Sequence, residues 1–354
     1  MRLLESTISG IVPQDADARA RARERLEHLT MPYWALGRLM DLAEELAGMT
    51  GSVKPPVERK TVVTMAGDHG VTAAGVTKYP QEVTVQMVYN FVRGGAGINA
   101  IARLVGARVV VVDMGVAGDL GDLVAERKII SKRVRAGTGN IVTGPAMSRK
   151  EAIHSVESGI EVALEIGAST DIFGTGEMGI GNTTPSAAII ATFSGKPVSE
   201  ITGRGTGIDD EQLLHKITMI EKAIEVNRPD QSDSLDVLAK VGGFEIGGIA
   251  GLILGAAFLK KPVLVDGFIA TAGALIASHL APLSREYMIA SHRSMEKGHC
   301  IALDCLGKKP LLDLDLRLGE GTGAALAMNV VEASVRILTE VATFEEAAVS
   351  RAGA

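Results

Sequence analysis

Hydrophobic and polar positions fall into three regimes along this chain. From Asp15 to Leu29 alanine and arginine interleave at helical spacing, and Thr30-Met31-Pro32 offers a cap and first turn for a second helix carrying Leu36, Leu39, Met40, Leu42 and Leu46. Residues 51–56, Gly-Ser-Val-Lys-Pro-Pro, break that pattern and read as a linker. Beyond them, short β-branched runs at 61–65, 108–113, 170–173, 262–265 and 287–290 each end near glycine or aspartate and give way to helix-period stretches. Near-continuous apolar strands alternating with helices predict a doubly wound, mainly parallel α/β sheet, Rossmann-like, with helices on both faces. The apolar run 246–259 stops at Lys260-Lys261-Pro262, too short for a bilayer, and predicts a buried helix. The third regime is a terminal helix marked by Leu326, Val330, Val331, Val335 and Leu338, expected to pack on the N-terminal helices. The predicted organisation is a large α/β domain, 31–304, and a small helical domain from 1–30 and 305–354.

Composition narrows what this fold is for. The 354 residues are 46% hydrophobic, enough for a large core, with mean hydropathy +0.22. A formal charge of -6 and 3% aromatic residues leave neither the basic surface nor the stacking platforms of a nucleic-acid binder. The two cysteines, Cys300 and Cys305, fit a reducing compartment, and no leader-like segment opens the sequence; both observations predict a cytoplasmic protein.

Candidate chemistry sits at the glycine-rich strand ends, where open α/β sheets bind ligands. Glu320 lies on the bend Gly319-Glu320-Gly321-Thr322-Gly323, and Glu177 lies in Gly174-Thr175-Gly176-Glu177-Met178-Gly179-Ile180-Gly181-Asn182. Thr184 before Pro185 predicts a helix cap, whose free N–H groups would cradle an anion. Asp209 and Gln212 form a predicted capping box after Gly203–Gly207. In the helix behind it, Lys216 either lays its stem over the core or reaches a phosphate in the cleft. The run Val109 to Gly115 has Met114 where enzymes of phosphoribosyl pyrophosphate need a second acid, and no hydroxyl-rich loop follows. Arg93 to Gly97 has the glycines of a dinucleotide fingerprint in the wrong order, before a helix and then a strand, and reads as a packing or turn device. His292, Glu296 and His299 lack metal-ligand spacing, so a surface or core role is expected for them. No metal or cofactor is expected.

Taken together, Ala66-Gly67-Asp68-His69-Gly70, residues 80–84, Arg93-Gly94-Gly95, residues 176–184, Gly203–Gly207, Asp266-Gly267, residues 291–294 and residues 318–323 resemble the nicotinate-nucleotide–dimethylbenzimidazole phosphoribosyltransferase family over about 60–330. The resemblance implies transfer of 5-phosphoribose from nicotinate mononucleotide to 5,6-dimethylbenzimidazole with inversion at the anomeric carbon, in cobalamin nucleotide-loop assembly. It implies Glu320 as the general base and Glu177 beside the reacting ribose. Gly176, Asn182, Gly205, Lys216 and Ser294 are expected to hold phosphate and ribose, and Tyr79, Gln86 and Met178 to line the base pocket. It also implies small-molecule partners and a homodimer, without nucleic acid or membrane. The competing reading is a non-catalytic nucleotide- or phosphate-binding α/β protein.

Overall fold

A computed structural model describes residues 3–205 and 207–350. Thr206, inside the Gly203–Gly207 motif, lies outside the described residues. Six parallel strands form one sheet in the order β3-β2-β1-β4-β5-β6. They are β1 (Lys60–Gly67), β2 (Ala107–Gly115), β3 (Ile130–Ser131), β4 (Ile172–Met178), β5 (Val263–Val265) and β6 (Met288–Ala290). β1 is buried along its whole length because helices cover both faces, which is why its sequence shows no alternation. Strand order reverses between β1 and β4, so the connections that follow them diverge and leave a crevice at their carboxyl ends.

Two boundaries differ from the sequence reading in ways that matter. The apolar run places the end of β4 at 173, yet the strand continues to Met178, so Gly174, Gly176 and Glu177 are strand residues. Glycine is needed there because a helix packs directly on the strand: a Cβ on Gly174 would stand 2.9 Å from Met328 Cε and 3.2 Å from Ala324 Cβ. The helix expected from Pro32 begins instead at Arg38, since Trp34 and Gly37 adopt positive φ and the chain turns through 31–37 first. β3, only two residues long, carried no sequence signal.

The helix Phe244–Phe258 is buried through Ala257, as the apolar run predicted. Among the described residues no helix is long and apolar enough to cross a membrane. The helix Arg38–Thr50 has two apolar faces. Leu42, Leu46 and Met49 enter the main core, whereas Met40, Ala43 and Ala47 join Ala22, Leu26, Leu29 and Leu338 in a second, smaller one. The terminal helix Thr322–Glu340 spans both: Ala324, Ala327 and Met328 pack under the sheet and Leu338 reaches the small core. That placement fixes the helix's first turn, and with it the Glu320 bend.

Candidate active site

A cleft of about 670 Å³ opens at the carboxyl ends of β4, β5 and β6, within the size range of small-molecule sites. One wall is apolar: Tyr79, Val83, Met87, Met178, Ile180 and Leu318. Val83 and Met87 sit one turn apart on the helix Glu82–Arg93, which sets them on one face. Gln86 is one residue before Met87, about 100° round the helix, and is exposed beside a separate depression with Asp68 and Ala117. Gln86 does not line the cleft in this structure, whereas Tyr79 and Met178 do.

Glu320 is the most constrained residue at the cleft. It has φ 62°, between Gly319 at 83° and Gly321 at 96°, so three consecutive residues are left-handed. A non-glycine residue adopts this only at a cost, of order 1–3 kcal/mol, which its surroundings must offset. They do so from four directions. Glu320 Oε2 accepts the Ile98 N–H at 2.9 Å, at the start of the helix Gly97–Val105. The Thr64 hydroxyl donates to the Glu320 carbonyl at 3.1 Å. Asp266 accepts Ala324 N–H at 2.9 Å and Gly321 N–H at 3.3 Å, tying the bend to the end of β5. The Glu320 N–H donates to Glu177 Oε1 at 3.4 Å. A helix start lowers a carboxyl's pKa and an apolar pocket raises it. Burial wins: it pushes the Glu320 carboxyl above its ordinary value, against the Ile98 N–H and with help from Asp266.

Gly176, expected to hold phosphate, packs instead against this bend. A Cβ there would stand 2.3 Å from the Glu320 carbonyl oxygen, and the residue does not reach the cleft. Its observed part in the site is close backbone approach.

Glu177 lies beside Glu320, buried, and accepts a hydrogen bond from the Asn182 side-chain amide. Burial pushes its carboxyl up to about 8, opposed by Asn182 and reinforced by Asp266 and Glu245. Burial thus raises both neighbouring acids above the ordinary carboxyl range. Asn182 spends its amide on Glu177 and makes no side-chain cap for the helix Thr183–Ser194, which starts before the expected cap Thr184. The Thr184 hydroxyl is buried without a partner among the described residues. The useful hydroxyl is that of Thr183, which accepts from Lys216 Nζ at 2.7 Å. Lys216 is 2% exposed, and burial lowers its ammonium to about 8, partly countered by Glu296. The Lys216 stem is buried, and its head bonds Thr183, which lines the cleft. Gly205 and Ser294 line the same polar end. The Asp209–Gln212 capping box is present.

Several contributors were invisible in the sequence. The Arg93–Gly97 glycines lead into the helix whose first N–H groups hold Glu320, a contact 222 residues apart. His299 is fully buried, with Nδ1 accepting the Ser294 N–H at 2.8 Å and Nε2 bonding the Thr271 hydroxyl at 2.9 Å. Burial and neighbouring His292 hold it neutral, with its pKa lowered to about 3. His69 pairs with Glu245 at 2.8 Å beneath the cleft. Burial works against its charge, but Glu245, Asp68 and Glu177 carry its pKa above the ordinary value.

The family described as Phosphoribosyltransferase matches residues 11–349. The nicotinate-nucleotide–dimethylbenzimidazole phosphoribosyltransferase of Syntrophotalea carbinolica is 61% identical over 99% of both chains, and that of Desulfotalea psychrophila 59% over the same share. The chain belongs to the nicotinate-nucleotide–dimethylbenzimidazole phosphoribosyltransferase family. The crystal structure of the Thermus thermophilus member superposes with TM-score 0.90 at 45% identity, covering 96% of this chain and 100% of that one. Membership reaches both termini, well beyond the 60–330 segment that carried the resemblance.

Proposed function

We propose that this enzyme transfers 5-phosphoribose from nicotinate mononucleotide to 5,6-dimethylbenzimidazole, releasing nicotinate and α-ribazole 5′-phosphate. The observation that carries the reading is Glu320: a carboxyl residue held in a left-handed bend from four directions, at the wall of a largely apolar cleft. The Asn182, Thr183, Lys216, Gly205 and Ser294 end takes the phosphate and ribose, and Tyr79, Met178 and the Val83–Met87 face take the flat base.

One benzimidazole nitrogen attacks the anomeric carbon from the face opposite nicotinate. The glycosidic C–N bond breaks, and its electron pair returns to the pyridinium ring, which leaves neutral. The new benzimidazolium is acidic at its other N–H, and Glu320 takes that proton. Burial raises the basicity of Glu320 while its Ile98 contact keeps it oriented. Glu177, pushed up to about 8, sits beside the ribose end. The family reading also carries a cytoplasmic homodimer; sedimentation returning only a single-chain mass would remove the dimer.

Glu320→Gln tests the reaction. An amide keeps an oxygen for the Ile98 N–H and cannot take the proton, so kcat should fall about 10²–10⁴-fold with nicotinate mononucleotide binding retained. Equal nicotinate release by wild type and variant would reject the transferase reading in favour of a protein that only binds nucleotide.

A further inference from the structure

Glu296 lines the polar end of the cleft yet takes no part in the chemistry above. Its Oε2 is buried and has no hydrogen-bond partner among the described residues. The carboxylate lies against the glycine loop: a Cβ built on Gly203 would stand 2.1 Å from Oε2, and burial pushes its carboxyl above the ordinary value against Lys216, Arg317 and the Gly205 N–H, which favour its charge. Its backbone is fixed, with the N–H donating to Ser294 Oγ at 3.3 Å and the carbonyl accepting from His299 N–H at 2.9 Å. Only the end of the side chain is free to move. A backbone amide from a glycine loop and a buried ammonium are the groups that recognise a phosphate oxygen. Here they face a carboxylate that they only partly satisfy, which leaves a buried acceptor at a cost.

We propose that Glu296 is an internal stand-in for the substrate's phosphate: its carboxylate and an incoming phosphate monoester compete for the same cradle. The carboxylate swings aside as the phosphate enters, Lys216 changes anion, and return of Glu296 helps expel the phosphorylated product. This rests on Lys216 and Gly205 being the phosphate end of the site.

The test is steady-state kinetics with inorganic phosphate as a competitive inhibitor against nicotinate mononucleotide. Glu296→Gln keeps size and removes charge. It should lower both the KM for nicotinate mononucleotide and the inhibition constant of phosphate about tenfold, from the loss of one like charge at close range. The KM for dimethylbenzimidazole should stay as it is. Gly203→Ala evicts the carboxylate without altering it, because its φ lies outside the left-handed region and the methyl meets only the flexible end of Glu296 and the Lys297 N–H. The same constants should fall about threefold, by partial relief of the same repulsion, and this variant carries the test if Glu296→Gln does not fold. Unchanged or higher phosphate inhibition constants in the folded variants overturn the proposal. Lys216→Met separates the two readings. If it weakens phosphate inhibition while the Glu296 and Gly203 variants change nothing, the cradle stands and the stand-in falls. If it too changes nothing, the phosphate end is misplaced and both fall.

Discussion

Gly176→Ala distinguishes a phosphate-binding glycine from one that positions the base. The new methyl would lie 2.3 Å from the Glu320 carbonyl oxygen, 2.8 Å from its carbon and 2.9 Å from Thr64 Oγ1. Side-chain carbons essentially never approach closer than 3.0 Å, so the bend must retreat by about 0.7 Å. Gly176 sits inside β4, paired with Thr64, and cannot itself move without breaking the central ladder. Retreat strains the Thr64–Glu320 hydrogen bond, worth about 1 kcal/mol, and overpacking adds roughly 1–3 kcal/mol. A displacement near 1 Å at a catalytic group costs about 10²-fold in rate. The expected result is kcat down about 10²-fold, a melting temperature lower by several degrees, and KM for nicotinate mononucleotide within about threefold of wild type. Nicotinate release and thermal unfolding measure all three. A variant with intact kcat and stability but a strongly raised KM would refute the packing account and return Gly176 to the phosphate site.

Glu177 makes stability depend on pH. Its carboxyl is raised from 4.5 to about 8, so the folded protein holds a proton that the unfolded chain releases. The stability from that proton is complete below about pH 4.5 and is lost as pH rises towards 8. Glu177→Gln removes the dependence, so its melting temperature relative to wild type should climb between pH 5 and 8, by the equivalent of about 2–4 kcal/mol; a constant offset would count against it. His299→Ala frees the Ser294 N–H and opens a cavity, and should cost about 2–4 kcal/mol in denaturant unfolding. Because the folded ring stays neutral with its pKa lowered from 6.5 to about 3, while the unfolded ring takes up a proton near pH 6, that cost should be about 1 kcal/mol smaller at pH 6 than at pH 8, and a cost that is larger at pH 6 would mean that the folded ring is charged.

Local pattern carried the architecture. β-branched runs favour buried strands, a long apolar helix must be covered, and a capping box closes through residues three apart; all of these are near-neighbour physics, and all appear in the structure. Glu320 was legible too, because flanking glycines mark a bend that few other residues tolerate. What sequence could not supply is which distant groups meet. The glycines of β4 looked like a loop because nothing nearby reveals that Met328 and the Glu320 carbonyl press against them. Gln86 and Met87 are indistinguishable until the helix is rotated against the sheet. The protonation of Glu177 and Glu320 belongs wholly to the tertiary structure. It depends on how much water is excluded and on Asp266, which arrives from another strand through contacts no local rule encodes.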